Sequence, residues 1–233
     1  MQIYWTTIKD IIDETSEVKT YLLEIPEGFT WEEGAHTHLA LKGFNEGEQP
    51  NRGLVRHMSI STLPHEQAIG ITTRIKELCS PYKSTLKNYT IGDEVALFKT
   101  HSNVPLQRVG KKIYLLSSGV GVATFRPLIL DYLANTEGIP HMHSLNVDST
   151  QEFLFNPVFE ATKDYAFTAQ FVDNRPAYYE EVSKLATDKD ALFYVVGSDE
   201  FLNQTIAVLK EALIDPSQII IDKHPHMRDE FLS

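Results

Sequence analysis

Cysteine is nearly absent: Cys79 is the only one in 233 residues. One thiol closes no internal disulfide and cannot by itself hold an iron–sulfur cluster. Long apolar runs are also missing; none approaches the roughly 20 residues that a bilayer-spanning helix needs. Basic residues are in the minority, with 21 Lys and Arg against 32 Asp and Glu and a net charge of −11. Nucleic acid demands clustered cations, so this balance argues against it, and equally against anionic membrane surfaces. A phosphate-bearing ligand would have to be held locally, by glycine turns and a few placed cations, against an unfavourable overall field. The start, Met1-Gln2-Ile3-Tyr4-Trp5, has no basic n-region, so no signal peptide is expected and a cytoplasmic location is the default.

What is present divides into two halves. Up to about residue 100 the chain reads as short strands. Val18–Ile25, His36–Leu41, Leu54–Ser61, Ile69–Ile75 and Glu94–Phe98 are rich in β-formers or alternate, with turns at Pro26-Glu27-Gly28, Asn45-Glu46-Gly47 and Gly92-Asp93. Regular short strands with turn signals predict an antiparallel barrel or sandwich. One helix is predicted from Pro81 to Asn88, with Ser80 as N-cap. Beyond Gly110 strands alternate with helices: strands at 112–117, 140–147, 165–172, 191–196 and 218–222, and helices at 122–135, near 156–163, 176–187 and 199–213. That alternation predicts a parallel sheet covered on both faces. The boundary is expected near 107/108.

The most informative stretch is Ser118-Gly119-Val120-Gly121-Val122-Ala123-Thr124, which follows a buried strand and opens a helix. Glycines let backbone N–H groups approach a phosphate, and the helix start adds partial positive charge. Without the third glycine of G-x-G-x-x-G the motif alone is weak, since such turns also join strands to helices in sheets that bind nothing. In the first half, period two puts Arg56 and Met58 on one face of their strand and His57 and Ser59 on the other. Arg56 is a planar cation suited to a phosphate. Thr72-Thr73-Arg74, then Ser80 and Lys83 at the start of the predicted helix, form a second candidate phosphate patch beside the bland reading of a capped helix.

Barrel first, nucleotide-binding domain second, with these motifs in this order, resembles the ferredoxin–NADP reductase superfamily, without a fused iron–sulfur domain. The resemblance implies a flavin-binding antiparallel barrel over 1–107 and a Rossmann-like NAD(P)-binding α/β domain over 108–233. The family's Arg-x-Tyr-Ser/Thr falls on Arg56, His57, Met58 and Ser59, with Met at the aromatic position. Ser59 would then meet flavin N5, while Arg56, Thr72, Thr73, Arg74, Ser80 and Lys83 would hold the flavin. Gly119, Val120, Gly121 and Thr124 would seat the nicotinamide nucleotide, with Thr124 where the family has proline. Tyr194-Val195-Val196-Gly197-Ser198 matches the strand that usually ends Cys-Gly-Pro, which places Gly197 and Ser198 at the nicotinamide and leaves no thiol there. Asp222 stands where the family often has an acid.

The implied activity is hydride transfer from NADH or NADPH to FAD, with FMN also open, and then electron release to an acceptor the sequence does not identify. Asp148 ends the second parallel strand where NADPH-selective members often carry a cation, which favours NADH; a plain helix N-cap is the other reading. A flavin-binding redox-sensing or interaction module that has lost nicotinamide turnover is the competing function. The pairs His36/His38, His141/His143 and His224/His226 lie in separate elements without matching carboxylates or thiols, so no metal is expected. Cys79 has no base partner in sight and reads as structural.

Overall fold

The computed structural model describes residues 2–160 and 166–233. The chain divides into two compact units, Met1–Ser102 and Asn103–Ser233, beside the boundary expected at 107/108.

The first unit is an antiparallel sheet of β1 (Tyr4–Asp13), β2 (Val18–Leu23), β3 (Ala35–Leu41), β4 (Val55–Ser59), β5 (Ile69–Arg74) and β6 (Glu94–Ser102), in the order β4-β3-β6-β1-β2-β5. Its edges meet: Ile60 bridges Ile71, and the Ser61 N–H donates to the Gly70 carbonyl at 2.8 Å. Closure removes the open edges and makes the expected barrel. Leu39, Leu41, Ile69, Ile71, Val95 and Leu97 fill the interior, each no more than 1% exposed. Helix α1 (Pro81–Lys87) starts at the Ser80 cap and buries Tyr82 and Leu86. The Tyr82 hydroxyl donates to the Leu39 carbonyl at 3.1 Å, and Tyr21 donates to the Leu86 carbonyl at 3.2 Å, which ties the helix to the barrel. Burial raises both phenols, Tyr21 to about 12, so both remain donors at neutral pH.

Two strand features depart from the sequence expectation, and both involve broken periodicity. β1 has no clean alternation because its register with β2 shifts between Ile8 and Asp10. β6 runs past Phe98 to Ser102 because Lys99, at φ 54°, lies where the register with β3 shifts between His36 and His38. A bulge adds one unpaired residue, and the apolar pattern changes face there.

The second unit is a parallel sheet of β7 (Ile113–Ser118), β8 (Met142–Val147), β9 (Phe167–Val172), β10 (Leu192–Val196) and β11 (Ile219–Ile221), ordered β11-β10-β7-β8-β9. Helices α2 (Val122–Ala134), α3 (Asn156–Glu160), α4 (Arg175–Leu185), α5 (Asp199–Glu211) and α6 (Pro225–Leu232) accompany it. Leu116, Leu145, Phe193 and Val195 form its core with Phe201 and Leu209 of α5. α6 was not expected, because its Pro-His-Met-Arg-Asp-Glu-Phe-Leu sequence carries a weak apolar stripe. The expected helix near 156–163 is described only through Glu160, and positions 161–163, like Tyr165 of the expected strand, lie outside the described residues. Among the described residues no helix is long and apolar enough to cross a membrane.

Chain order reverses between β7 and β10. From β7 the chain steps outward to β8 and β9, then returns to build β10 and β11 on the other side. The crevice outside the C-terminal strand ends at such a switch point is where an open parallel sheet receives a ligand.

At the opposite, N-terminal end of β8, Thr168 Oγ1 lies 2.7 Å from His143 Nδ1 and 3.2 Å from His141 Nε2. Burial, together with His141, lowers His143 to about 4, and Glu181 opposes this only in part. The unfolded chain therefore takes up a proton near pH 6.5 that the folded chain refuses until about pH 4. Stability is complete above pH 6.5 and is lost as the pH falls toward 4. Between pH 7 and pH 5 the wild type is expected to lose about 5 °C more in melting temperature than His143→Gln. Equal losses in paired thermal melts would contradict this.

Candidate functional site

The barrel unit gathers three cations. The Arg56 guanidinium lies over the Tyr82 ring, 5.0 Å from its centroid, and Tyr82 is itself fixed by burial and its bond to Leu39. Among the described residues, Arg56 hydrogen-bonds through Nη1 to the carbonyls of Val55 at 2.7 Å and of Arg52 and Gly53 at 3.4 Å. Lys83 Nζ donates to the Arg74 carbonyl at 2.7 Å. Burial holds the Lys83 ammonium below the usual lysine range, and the Arg74 and Arg56 charges push it further down against an opposing contribution from Cys79. Among the described residues neither Arg56 nor Lys83 has a carboxylate partner. Arg56 and Lys83, with carbonyls as their only acceptors among the described residues, form a donor set that fits a diphosphate.

Ser80 Oγ accepts from the Lys83 N–H at 3.4 Å, so it caps α1 as expected. Thr72 is buried and its hydroxyl lies 2.8 Å from both Thr20 and Ser61, within a chain that runs on to Glu14. Thr73 is also buried and, by strand period, faces away from Arg74 and Thr72. These two threonines therefore build the barrel wall, while Arg74 joins the cations. Met58 packs against the barrel core. On the other face of β4, His57 stands opposite His38 and Ser59 opposite His36.

The second unit places its motif residues around the switch point. Gly119–Gly121 forms a tight turn after β7, and Gly197-Ser198 follows β10. Gly119 sits at φ 54°, and a Cβ on Gly121 would lie 2.8 Å from the Val196 carbonyl oxygen. The turn is thus pressed against the end of β10, which explains the glycines by packing as well as by ligand access. Thr124 is 2% exposed inside α2. Ser198 caps α5, accepting from the Phe201 N–H at 3.3 Å. α2 opens without a side-chain cap, and its first N–H, that of Val122, donates back to the Gly119 carbonyl of the preceding turn.

Asp148 is 5% exposed, and its Oδ1 accepts from the Thr150 N–H at 3.0 Å and the Thr150 hydroxyl at 2.8 Å. Its carboxylate closes a turn at the end of β8 and caps no helix, since the next helix, α3, begins only at Asn156. Asp222 accepts from Asn103 Nδ2 at 2.9 Å.

Two residues at this edge were missed by sequence reasoning. Asn146, buried, donates to Ser117 Oγ at 2.9 Å and to the Gly119 carbonyl at 3.2 Å, and so pins the glycine turn. Arg175 donates to Ser118 Oγ at 3.3 Å and to the Tyr179 hydroxyl at 3.2 Å, and lies 4.8 Å over the Phe201 ring. A cation in the first turn of a helix is unfavourable against the helix dipole. The contacts with Ser118, Tyr179 and Phe201 hold the guanidinium beside the glycine turn. The signal was the Asn174-Arg175-Pro176 step at the end of a parallel strand: a cap and a proline that start a helix with an arginine between them.

No protein-family model matches the chain, and no curated protein matches it in sequence. Solved structures do match. An Amycolatopsis cytochrome P450 reductase, GcoB, is 15% identical with a TM-score of 0.78, covering 95% of this chain and 69% of that one. The CS-b5R domains of human Ncb5or in the NAD+ form are 18% identical with a TM-score of 0.77, covering 95% and 70%. A Neisseria gonorrhoeae ferredoxin NADP+ reductase with bound FAD and NADP is 16% identical with a TM-score of 0.75, covering 95% and 98%. The chain has the fold of these proteins, an antiparallel barrel followed by a parallel α/β unit, as the sequence resemblance implied.

Proposed function

We propose that this chain, built on the ferredoxin–NADP reductase fold, is a flavin-dependent NAD(P)H oxidoreductase. The observation that carries the reading is the cluster of Arg56, Arg74 and Lys83 on the barrel. A diphosphate would relieve its internal repulsion, which favours FAD over FMN. When bound, the flavin supplies hydride acceptance at N5 and onward release of electrons.

The protein's own residues supply positioning. Arg56 and Lys83 hold the phosphates, and the Ser59 hydroxyl orients N5. The Gly119–Gly121 turn and Arg175 hold the nicotinamide nucleotide. Gly197 and Ser198 bound the nicotinamide subsite, and Asp222, fixed by Asn103, is the acid beside it. The negative charge of Asp148 disfavours a 2′-phosphate at the end of β8, so NADH is the proposed donor. The acceptor is a separate protein or small molecule.

Anaerobic titration of the FAD-loaded protein tests this. NADH is expected to bleach the flavin absorbance stoichiometrically, and faster than NADPH at equal concentration. A yellow protein indifferent to both nucleotides would make it a flavin-binding module, and a protein that takes up neither FAD nor FMN would end the flavin reading.

A further inference from the structure

Two cavities of about 380 Å³ each open side by side on the barrel unit and share Thr30 and Thr100, which makes them one groove. Its shape depends on the bulge in β6. Consecutive side chains of a regular strand point to opposite faces. Here Lys99 and Thr100 both line the first cavity, and Thr100 and His101 both line the second. The bulge allows this, because Lys99 sits at φ 54° where the register with β3 shifts. Glycine would take that conformation without strain, and the chain has a lysine there. Strained backbone of this kind clusters at ligand sites.

Aromatic rings form one wall. The Phe29 ring meets Tyr4 edge-on with centroids 5.2 Å apart, and lies 5.7 Å from Trp31. Trp31 is fixed by its Nε1, which donates to the Thr62 carbonyl at 2.7 Å, and Tyr4 by its hydroxyl, which donates to the Gly28 carbonyl at 3.3 Å. The polar groups differ between the two ends. Lys99 lines only the first cavity, and among the described residues its ammonium has no carboxylate partner. Glu32 lines only the second. Thr100 stands at both, and its hydroxyl donates to Thr37 Oγ1 at 2.9 Å, which in turn donates to the Phe98 carbonyl at 3.2 Å. With its proton committed, the Thr100 oxygen can offer a ligand only an acceptor.

We infer that this groove binds a planar aromatic acid that carries a hydroxyl at the far end of its ring system. The carboxylate meets the Lys99 ammonium in a charge-assisted contact. The rings lie against Phe29 and Trp31. The hydroxyl donates to Thr100 and to the Glu32 carboxylate. Aromatic walls with a few placed polar groups, in a volume of some hundreds of Å³, are the ordinary make-up of a small-molecule site. None of these residues holds the flavin or the nucleotide in the function proposed above, so the site stands apart from that chemistry.

Calorimetric titration of the full chain with 6-hydroxy-2-naphthoate tests the site, beside 2-naphthoate, which lacks the hydroxyl, and 2-naphthol, which lacks the charge. Saturable one-to-one binding is expected, at least tenfold tighter for the hydroxy acid than for either control. Lys99→Gly suits the backbone at φ 54° and is expected to melt no lower than the wild type. It should weaken the hydroxy acid at least tenfold and leave 2-naphthol within twofold, whereas Lys99→Arg should keep most of the affinity. The affinity should be the same with FAD present. Absence of saturable binding, equal affinity for all three probes, or wild-type affinity in a folded Lys99→Gly would overturn the inference. So would competition between the hydroxy acid and FAD, which would put the probe in the flavin site and leave the flavin reading standing.

Discussion

Gly121→Val is expected to slow reduction of bound flavin by NADH at least 100-fold while leaving the flavin content unchanged. A Cβ at this position lies 2.8 Å from a main-chain oxygen, that of Val196, and a backbone atom at a strand end cannot swing aside as a side-chain tip would. Either the turn or the end of β10 must shift, and valine's branches enlarge the displacement. Misplacement by about 1 Å is enough to cost a hydride-transfer geometry roughly 100-fold. Overpacking should also cost about 1–3 kcal/mol of stability, seen as a melting temperature lower by several degrees. The flavin is proposed to sit on the barrel unit, so its retention separates a local defect from global unfolding. Stopped-flow reduction with NADH measures the effect; a wild-type rate would show that the turn does not seat the nucleotide.

The second large effect is on the other ligand. Arg56→Ala is expected to weaken FAD binding by about 10- to 100-fold, the cost of losing a charge-assisted contact to phosphate. Arg56 is already oriented by Tyr82 and the Val55 carbonyl, so little ordering is needed when the ligand arrives. The diagnostic comparison uses riboflavin, which has the same ring system without phosphate. Its affinity should change little between wild type and variant, and added salt should narrow the FAD difference. If riboflavin and FAD weakened equally, Arg56 would be supporting the ring or the fold instead of the phosphates. Fluorescence titration of the flavin-free protein with each ligand makes the measurement.

Much of this molecule was legible before any coordinates. The alternating runs at β2, β3, β4 and β5 and the apolar strands β7 and β10 stand where their patterns place them, because one buried face or two imposes period two or a continuous apolar run. The α1 cap at Ser80 followed from local backbone chemistry alone. β1 and the end of β6 were illegible for a shared reason. Their register shifts invert the face to which successive side chains point, so no single period describes them. The site divides similarly. Glycine turns and single cations can be found in a linear chain. The Arg56–Tyr82 stack, the Asn146 clamp and the Arg175 contact with Ser118 join residues between 26 and 57 positions apart.

By itself, then, the sequence determined the order of the two units, the position of the glycine turn between strand and helix, and the absence of any diffuse positive field. These follow from local sterics, hydrophobic periodicity and charge count. Tertiary structure alone decided which partners each polar residue meets. Thr72 has hydrogen-bond partners in Thr20 and Ser61 and Asp148 in Thr150, whereas Arg74 was brought beside Lys83 and Arg175 beside Ser118. The reason is that a side chain's availability depends on what packs against it and which partners claim its hydrogen bonds. Both are set by strand pairings far apart in the chain.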